Sequence, residues 1–176
     1  MTRHGALIGR MLLAVGLLGL NAMADDGNGD RVFAAHLVGS AVGEHVAGVP
    51  SGGAPWKVAV GEAIVASNGK VEIIIRGLLI SSGTGVNTVG PVTMVNASLV
   101  CGDVVAATTK AVPLSTAGNA LIQDTITVPS PCIAPAVLIR VAATTTGAVT
   151  GGPFIAVNAL ASTPAQQGQN QNDDHQ

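Results

Sequence analysis

Aromatic side chains are almost absent: the 176 residues include one Trp, two Phe and no Tyr. Sugar sites and single-strand nucleic-acid sites usually stack rings on their ligands, so this scarcity counts against both. Charge is scarce as well, with eight Lys and Arg, ten Asp and Glu and a formal charge of −2. Nothing forms a basic footprint for nucleic acid or an anionic membrane surface, and neither is an expected partner. No apolar run is long enough to span a bilayer as a helix. The chain has no C-x-x-C pair and no G-x-S-x-G elbow; Gly39-Ser40-Ala41-Val42-Gly43 has the wrong order. The Gly-Pro stretch at residues 48–55 lacks the Lys-Ser/Thr ending of a P-loop. It reads instead as a turn that delivers Trp56.

What is present begins with a targeting pattern. Arg3 and Arg10 precede a short apolar run, Met11 to Leu20, and Ala22-Met23-Ala24 supplies a small-x-small site. That predicts a secretory signal peptide over residues 1–24, cut after Ala24. No Cys lies near the cut and no Arg-Arg pair precedes it, which sets aside lipid anchoring and the twin-arginine route. Removal takes two basic residues and no acid, lowering the formal charge from −2 to −4. Roughly 150 residues remain, enough for one domain with a core. The expected localisation is periplasmic or extracellular.

The rest is rich in Val, Ile and Thr, whose branched side chains suit a pleated surface. Residues 25–31 read as a flexible lead-in, 32–162 as the domain and 163–176 as a Gln/Asn-rich polar tail without a core. Within the domain, turn signals separate about eight short strands. Asn68-Gly69 predicts a two-residue type I′ hairpin. In the return strand Val71, Ile73 and Ile75 alternate with Lys70, Glu72 and Arg76, as in an antiparallel sheet with one wet face. Residues 104–114 read as one strand. Asp124 shares the parity of Ile122 and Ile126, which is a blemish unless it lies at an edge or finds a partner. The expected fold is an all-β, antiparallel two-sheet sandwich of immunoglobulin-like type, with a closed barrel as the alternative.

Cys101 and Cys132 are the two cysteines, and in an exported chain they predict a disulfide. Closing that loop is worth about 3 to 4 kcal/mol in the chain-entropy picture.

A set of turn and cysteine motifs carries a resemblance. These are Gly52-Gly53-Ala54-Pro55-Trp56, the Asn68-Gly69 hairpin leading to Arg76-Gly77-Leu78, and Ala97-Ser98-Leu99-Val100-Cys101. Pro113-Leu114-Ser115, Gly118-Asn119-Ala120, Pro131-Cys132-Ile133-Ala134-Pro135 and Leu138-Ile139-Arg140 complete it. Together, over Val32 to Asn158, they resemble a group of small uncharacterised exported bacterial β-sandwich proteins with one Cys pair. The resemblance implies a fold and an exported bacterial origin. It carries no functional residues.

Candidate chemistry is thin. His36, Glu44 and His45 could together hold zinc, since two imidazoles and a carboxylate suffice for three ligands. The simpler reading leaves His36 as an ordinary strand residue. Ser40 lies near both histidines in sequence, which does not make a triad. Paired carboxylates could come only from Glu44, Glu62, Glu72, Asp103 and Asp124. Glu72 already reads as a solvent-face residue and Asp103 as a turn former. Trp56 is a candidate ligand platform, though a single Trp is more often a core plug. Asn96-Ala97-Ser98 matches a glycosylation sequon but sits inside a strand.

The expectation is therefore a non-enzymatic exported module that binds or assembles, without a cofactor. Its partner would be a cell-surface component or a second copy met through an edge strand. The loops at 48–56 and 81–90 are candidate recognition segments. The alternative is a periplasmic metal-binding protein or hydrolase using His36, Glu44 and His45.

Overall fold

The computed structural model describes residues 30–142 and 151–158. The expected signal segment, most of the expected lead-in, residues 143–150 and the expected polar tail lie outside the described residues. So do the last two residues of the strand expected at 154–160.

Among the described residues there are thirteen strand segments and no helix. They are β1 (Arg31–Gly39), β2 (His45–Val46), β3 (Val49–Pro50), β4 (Trp56–Lys57), β5 (Val60–Ala66), β6 (Lys70–Arg76) and β7 (Leu79–Ile80). Then come β8 (Met94–Cys101), β9 (Val104–Thr108), β10 (Val112–Pro113), β11 (Ala120–Thr125), β12 (Ala136–Ala142) and β13 (Gly151–Asn158). Nine form one sheet in the order β10-β8-β12-β13-β1-β5-β6-β11, with β9 also paired to β8. Every strand pairing in it is antiparallel.

β1 links the two halves of this sheet. Its first part pairs with β5 up to His36 opposite Glu62, and its last part pairs with β13 from Leu37 onward. The sheet curls so that the two halves share one core. Val65, Val71, Ile73, Ile75 and Ile122 from one half join Val95, Ala97, Leu99, Val137, Ile139 and Ile155 from the other. As the composition requires, this core is overwhelmingly aliphatic.

β6 shows the simplest case of sequence dictating burial. Val71, Ile73 and Ile75 are buried, and Lys70, Glu72, Ile74 and Arg76 are exposed. β8 differs, because Val95 through Val100 are all buried. It is covered on both faces, as strands become when packed on two sides. Its inner residues face the main core. On the outer face Val100 joins Ala136, Leu138 and Phe154 in a second cluster, with Val49 of β3 and the partly buried Val46 and Ala47 laid over it.

Two local expectations need correction. The Asn68-Gly69 hairpin is a three-residue loop rather than a two-residue type I′ turn, because Val65 opposes Val71 and Gly69 N–H bonds to Ala66 O at 2.9 Å. Asn68 keeps an ordinary negative φ while Gly69 takes φ +84°. That is a β-turn followed by a left-handed glycine, the next most common hairpin solution. The strand expected over 104–114 is two strands. Both β9 and β10 pair with β8, and the chain breaks between them where Thr109 N–H bonds to Ala97 O and Thr109 Oγ1 accepts from Ala97 N–H.

The disulfide joins Cys101 at the end of β8 to Cys132 in the proline-braced segment before β12. Gly102 N–H bonds to Ile133 O at 2.7 Å beside it. Among the described residues no helix is long and apolar enough to cross a membrane, which says nothing about strands.

Candidate functional site

The residues proposed for metal chemistry are not brought together. His36 is an exposed residue on β1 and faces Glu62 across the ladder, not Glu44. The Glu44 carboxylate turns back to accept from Ala41 N–H at 2.9 Å, and its backbone is tied to Ser51. His45 Nδ1 lies 3.2 Å from Gly43 O. Among the described residues no group of three His, Cys, Asp or Glu side chains could hold a metal ion. The physical reason is the turn at 40–44, whose own backbone groups consume the side chains that sequence proximity had offered. Ser40 is likewise spoken for, being buried and donating weakly to Phe154 O at 3.4 Å.

Trp56 is a core residue, 7% exposed, and not a platform. Its backbone N–H bonds to Ser40 O at 2.8 Å, and Gly52 leaves room for its indole nitrogen. The 48–56 segment is therefore only partly a free loop. Val49, Gly52 and Trp56 are buried, and Gly52 N–H bonds to Phe154 O at 2.8 Å. Most of the 81–90 loop is exposed, but Val89 is buried under it.

The carboxylates are dispersed. Glu62 and Glu72 are exposed on β5 and β6, and Asp103 sits in the β8–β9 turn. Asp124 finds the partner its parity demanded. It accepts from Lys110 N–H at 2.8 Å and from Thr125 N–H at 2.9 Å, with Lys110 Nζ at 3.7 Å. The backbone bond from Lys110 holds its carboxyl below the ordinary value, against an opposing desolvation effect.

That contact places two ends of the sheet beside each other. β10 and β11 are the terminal strands of the hydrogen-bonded path, yet they pack together where the sheet curls round. Asp124 clasps the corner that precedes β10. A surface cleft of about 600 Å³ lies along the seam, lined by Ile74, Arg76, Val112, Pro113, Asn119 and Leu121. Ile74 and Leu121 oppose each other in the β6–β11 register, and both are exposed, at 36% and 52%. Among the described residues β11 has a ladder partner only in β6; its other edge faces β10 across the cleft without a ladder. Sequence reading missed this site, because Leu121 and Ile74 become neighbours only through strand pairing.

A polar cluster occupies the outer face of β8 and β12. Asn96 lies directly opposite Arg140 in the ladder, with Ser98 opposite Thr108 on the other side of β8. Ser98 Oγ and Thr108 Oγ1 are 2.9 Å apart. The Arg140 guanidinium donates to Gly152 O at 2.7 Å through Nε and to Gly151 O through Nη2. Its burial disfavours the charged form. Asn96 is fully buried, which also removes the sequon from any glycosylation enzyme.

The chain matches no protein-family model, no curated protein and no solved structure.

Proposed function

We propose that this protein is an exported, non-enzymatic assembly module that joins a second copy of itself through the unladdered edge of β11 and the exposed residues beside it. The observation that carries this is the pairing of that edge with the exposed Ile74–Leu121 couple beside the cleft. An unpaired strand edge presents a row of N–H and C=O groups that another strand can complete. Antiparallel β11–β11 contact is self-complementary about a two-fold axis, the commonest symmetry of soluble assemblies. The corner at Asp124 covers one end of the edge, so the contact is short and association is weak and concentration dependent.

The Cys101–Cys132 disulfide supports an oxidising, exported setting. We read the curled antiparallel sheet as two halves of an immunoglobulin-like sandwich that share β1; the alternative is a barrel closed by the Asp124 clasp in place of a ladder.

Sedimentation velocity over a wide concentration range tests the function. Reversible self-association is expected in the unaltered chain. Leu121→Lys and Ile74→Lys, both on exposed sites, should abolish it without lowering Tm. A chain that stays monomeric throughout, or variants that associate as before, would overturn the proposal.

A further inference from the structure

We propose that the cleft between β10 and β11 binds a small aliphatic carboxylate, its acid group held by Arg76 and its carbon chain laid on Ile74 and Leu121. The site shares those two apolar residues with the self-association proposed above, but it is complete in one chain. Its volume of about 600 Å³ lies in the ordinary range for small-molecule sites. The lining is chemically one-sided. Six of its eight residues are apolar, Arg76 is the one charge, and no acid is present. The neighbouring cleft holds Lys70, Glu72, Lys110 and Asp124, charges of both signs, and so favours no ligand charge.

Arg76 is short of a partner. Among the described residues the sole ion pair is Lys110–Asp124, and the exposed Arg76 guanidinium donates to no protein group. Glu62, one register step away on β5, lies on the side of β6 remote from the cleft and does not pair with it. Asn119 adds a donor at the same end. Ile75 opposes Ala120 in the ladder, so Arg76 and Asn119 are the next facing positions. Asn119 Oδ1 accepts from Gly77 N–H at 3.1 Å, which leaves its Nδ2 hydrogens for a ligand. Ile74 shares the exposed face of Arg76, two residues back along β6, and Leu121 stands opposite it. That places the apolar pair about 7 Å from the charged end. The far wall is Val112 and Pro113, and Pro113 has no N–H to solvate. A guanidinium grips a carboxylate through charge-assisted N–H bonds. A carbon chain gains by covering two exposed aliphatic side chains. An amine would meet Arg76 as a like charge, and an alcohol would gain no bond to an anion.

The test titrates the purified protein with octanoate, 1-octanol and octylammonium, which share one carbon chain and differ in head group. The readouts are the NMR signals of the Ile74 and Leu121 methyl groups and of Arg76 Nε–H, at a protein concentration where sedimentation shows monomer. Expected is saturable octanoate binding with shifts centred on those three residues. The other two ligands should bind at least about fivefold more weakly, the effect of one favourable exposed ion pair. Arg76→Gln, on an exposed site, should weaken octanoate about fivefold and leave 1-octanol unchanged. The preference for octanoate should shrink as salt rises. Equal binding of all three ligands would reduce the cleft to an unselective apolar patch and overturn the proposal. So would silence toward octanoate, or shifts centred elsewhere. Octanoate binding to a chain that never self-associates would support this site while overturning the assembly reading.

Discussion

Asp124 and Lys110 hold together two ends of the sheet that no ladder joins: the carboxylate on β11 accepts the Lys110 backbone N–H at 2.8 Å, at the corner leading into β10. The side-chain ion pair is secondary, since Lys110 is 87% exposed and exposed pairs contribute little. The carboxylate itself is mostly covered, which makes the backbone bond the significant part.

Asp124→Asn keeps an acceptor for Lys110 N–H but loses the charge, so it should destabilise the domain by about 1 to 2 kcal/mol near neutral pH, the difference between a hydrogen bond to a charged and to a neutral acceptor. The pH dependence follows from the lowered folded pKa of Asp124. Its contribution is fully present above the unfolded value near 3.8 and is lost as pH falls through the lower folded value. Melting curves of both proteins between pH 7 and 2 should converge at the acid end. A gap that stays constant with pH would remove the carboxylate from the account.

Reducing the Cys101–Cys132 bond should lower Tm while leaving a β-type circular dichroism spectrum. The expected loss is about 3 to 4 kcal/mol for a loop of this length. Calorimetry with and without a phosphine reductant checks it, and an unchanged melt would show that the bond is no staple.

Gly69→Ala should be far more damaging than Gly43→Ala. Both glycines have positive φ, at +84° and +83°. A methyl group at Gly43 meets open space, whereas one at Gly69 would fall 1.9 Å from Ile126 O, whose own residue bonds back to Gly69 O. Gly43→Ala is expected to cost about 1 kcal/mol from backbone strain alone. Gly69→Ala must add displacement of the segment that follows β11. Urea titrations of the two variants provide the comparison, and equal midpoints would refute the close approach.

Asn96→Leu should leave the protein no less stable than the parent. Replacing an unsatisfied buried amide by an apolar group of similar size removes a desolvation penalty of about 1 to 3 kcal/mol. Chemical denaturation measures it. A loss of more than about 1 kcal/mol would show that the Asn96 amide has a partner.

Much of the local structure was legible in the chain itself. The period-two pattern of β6 fixed which side chains face inward, and two cysteines admit one pairing. The mismatch at Asp124 was visible from parity and pointed to an edge or a partner, and the structure supplies both. Side-chain alternation is a property of each strand alone, so the sequence determined an all-β, antiparallel, aliphatic-cored chain. Tertiary structure decided everything that depends on which strands become neighbours. It split 104–114 at Thr109, drew Glu44 and His45 into turn contacts away from His36, and set Leu121 beside Ile74. It also buried Asn96 opposite Arg140 on a face that alternation alone would have assigned to solvent. The cause is long-range packing: a face becomes dry only when another element covers it, and no local pattern records that cover.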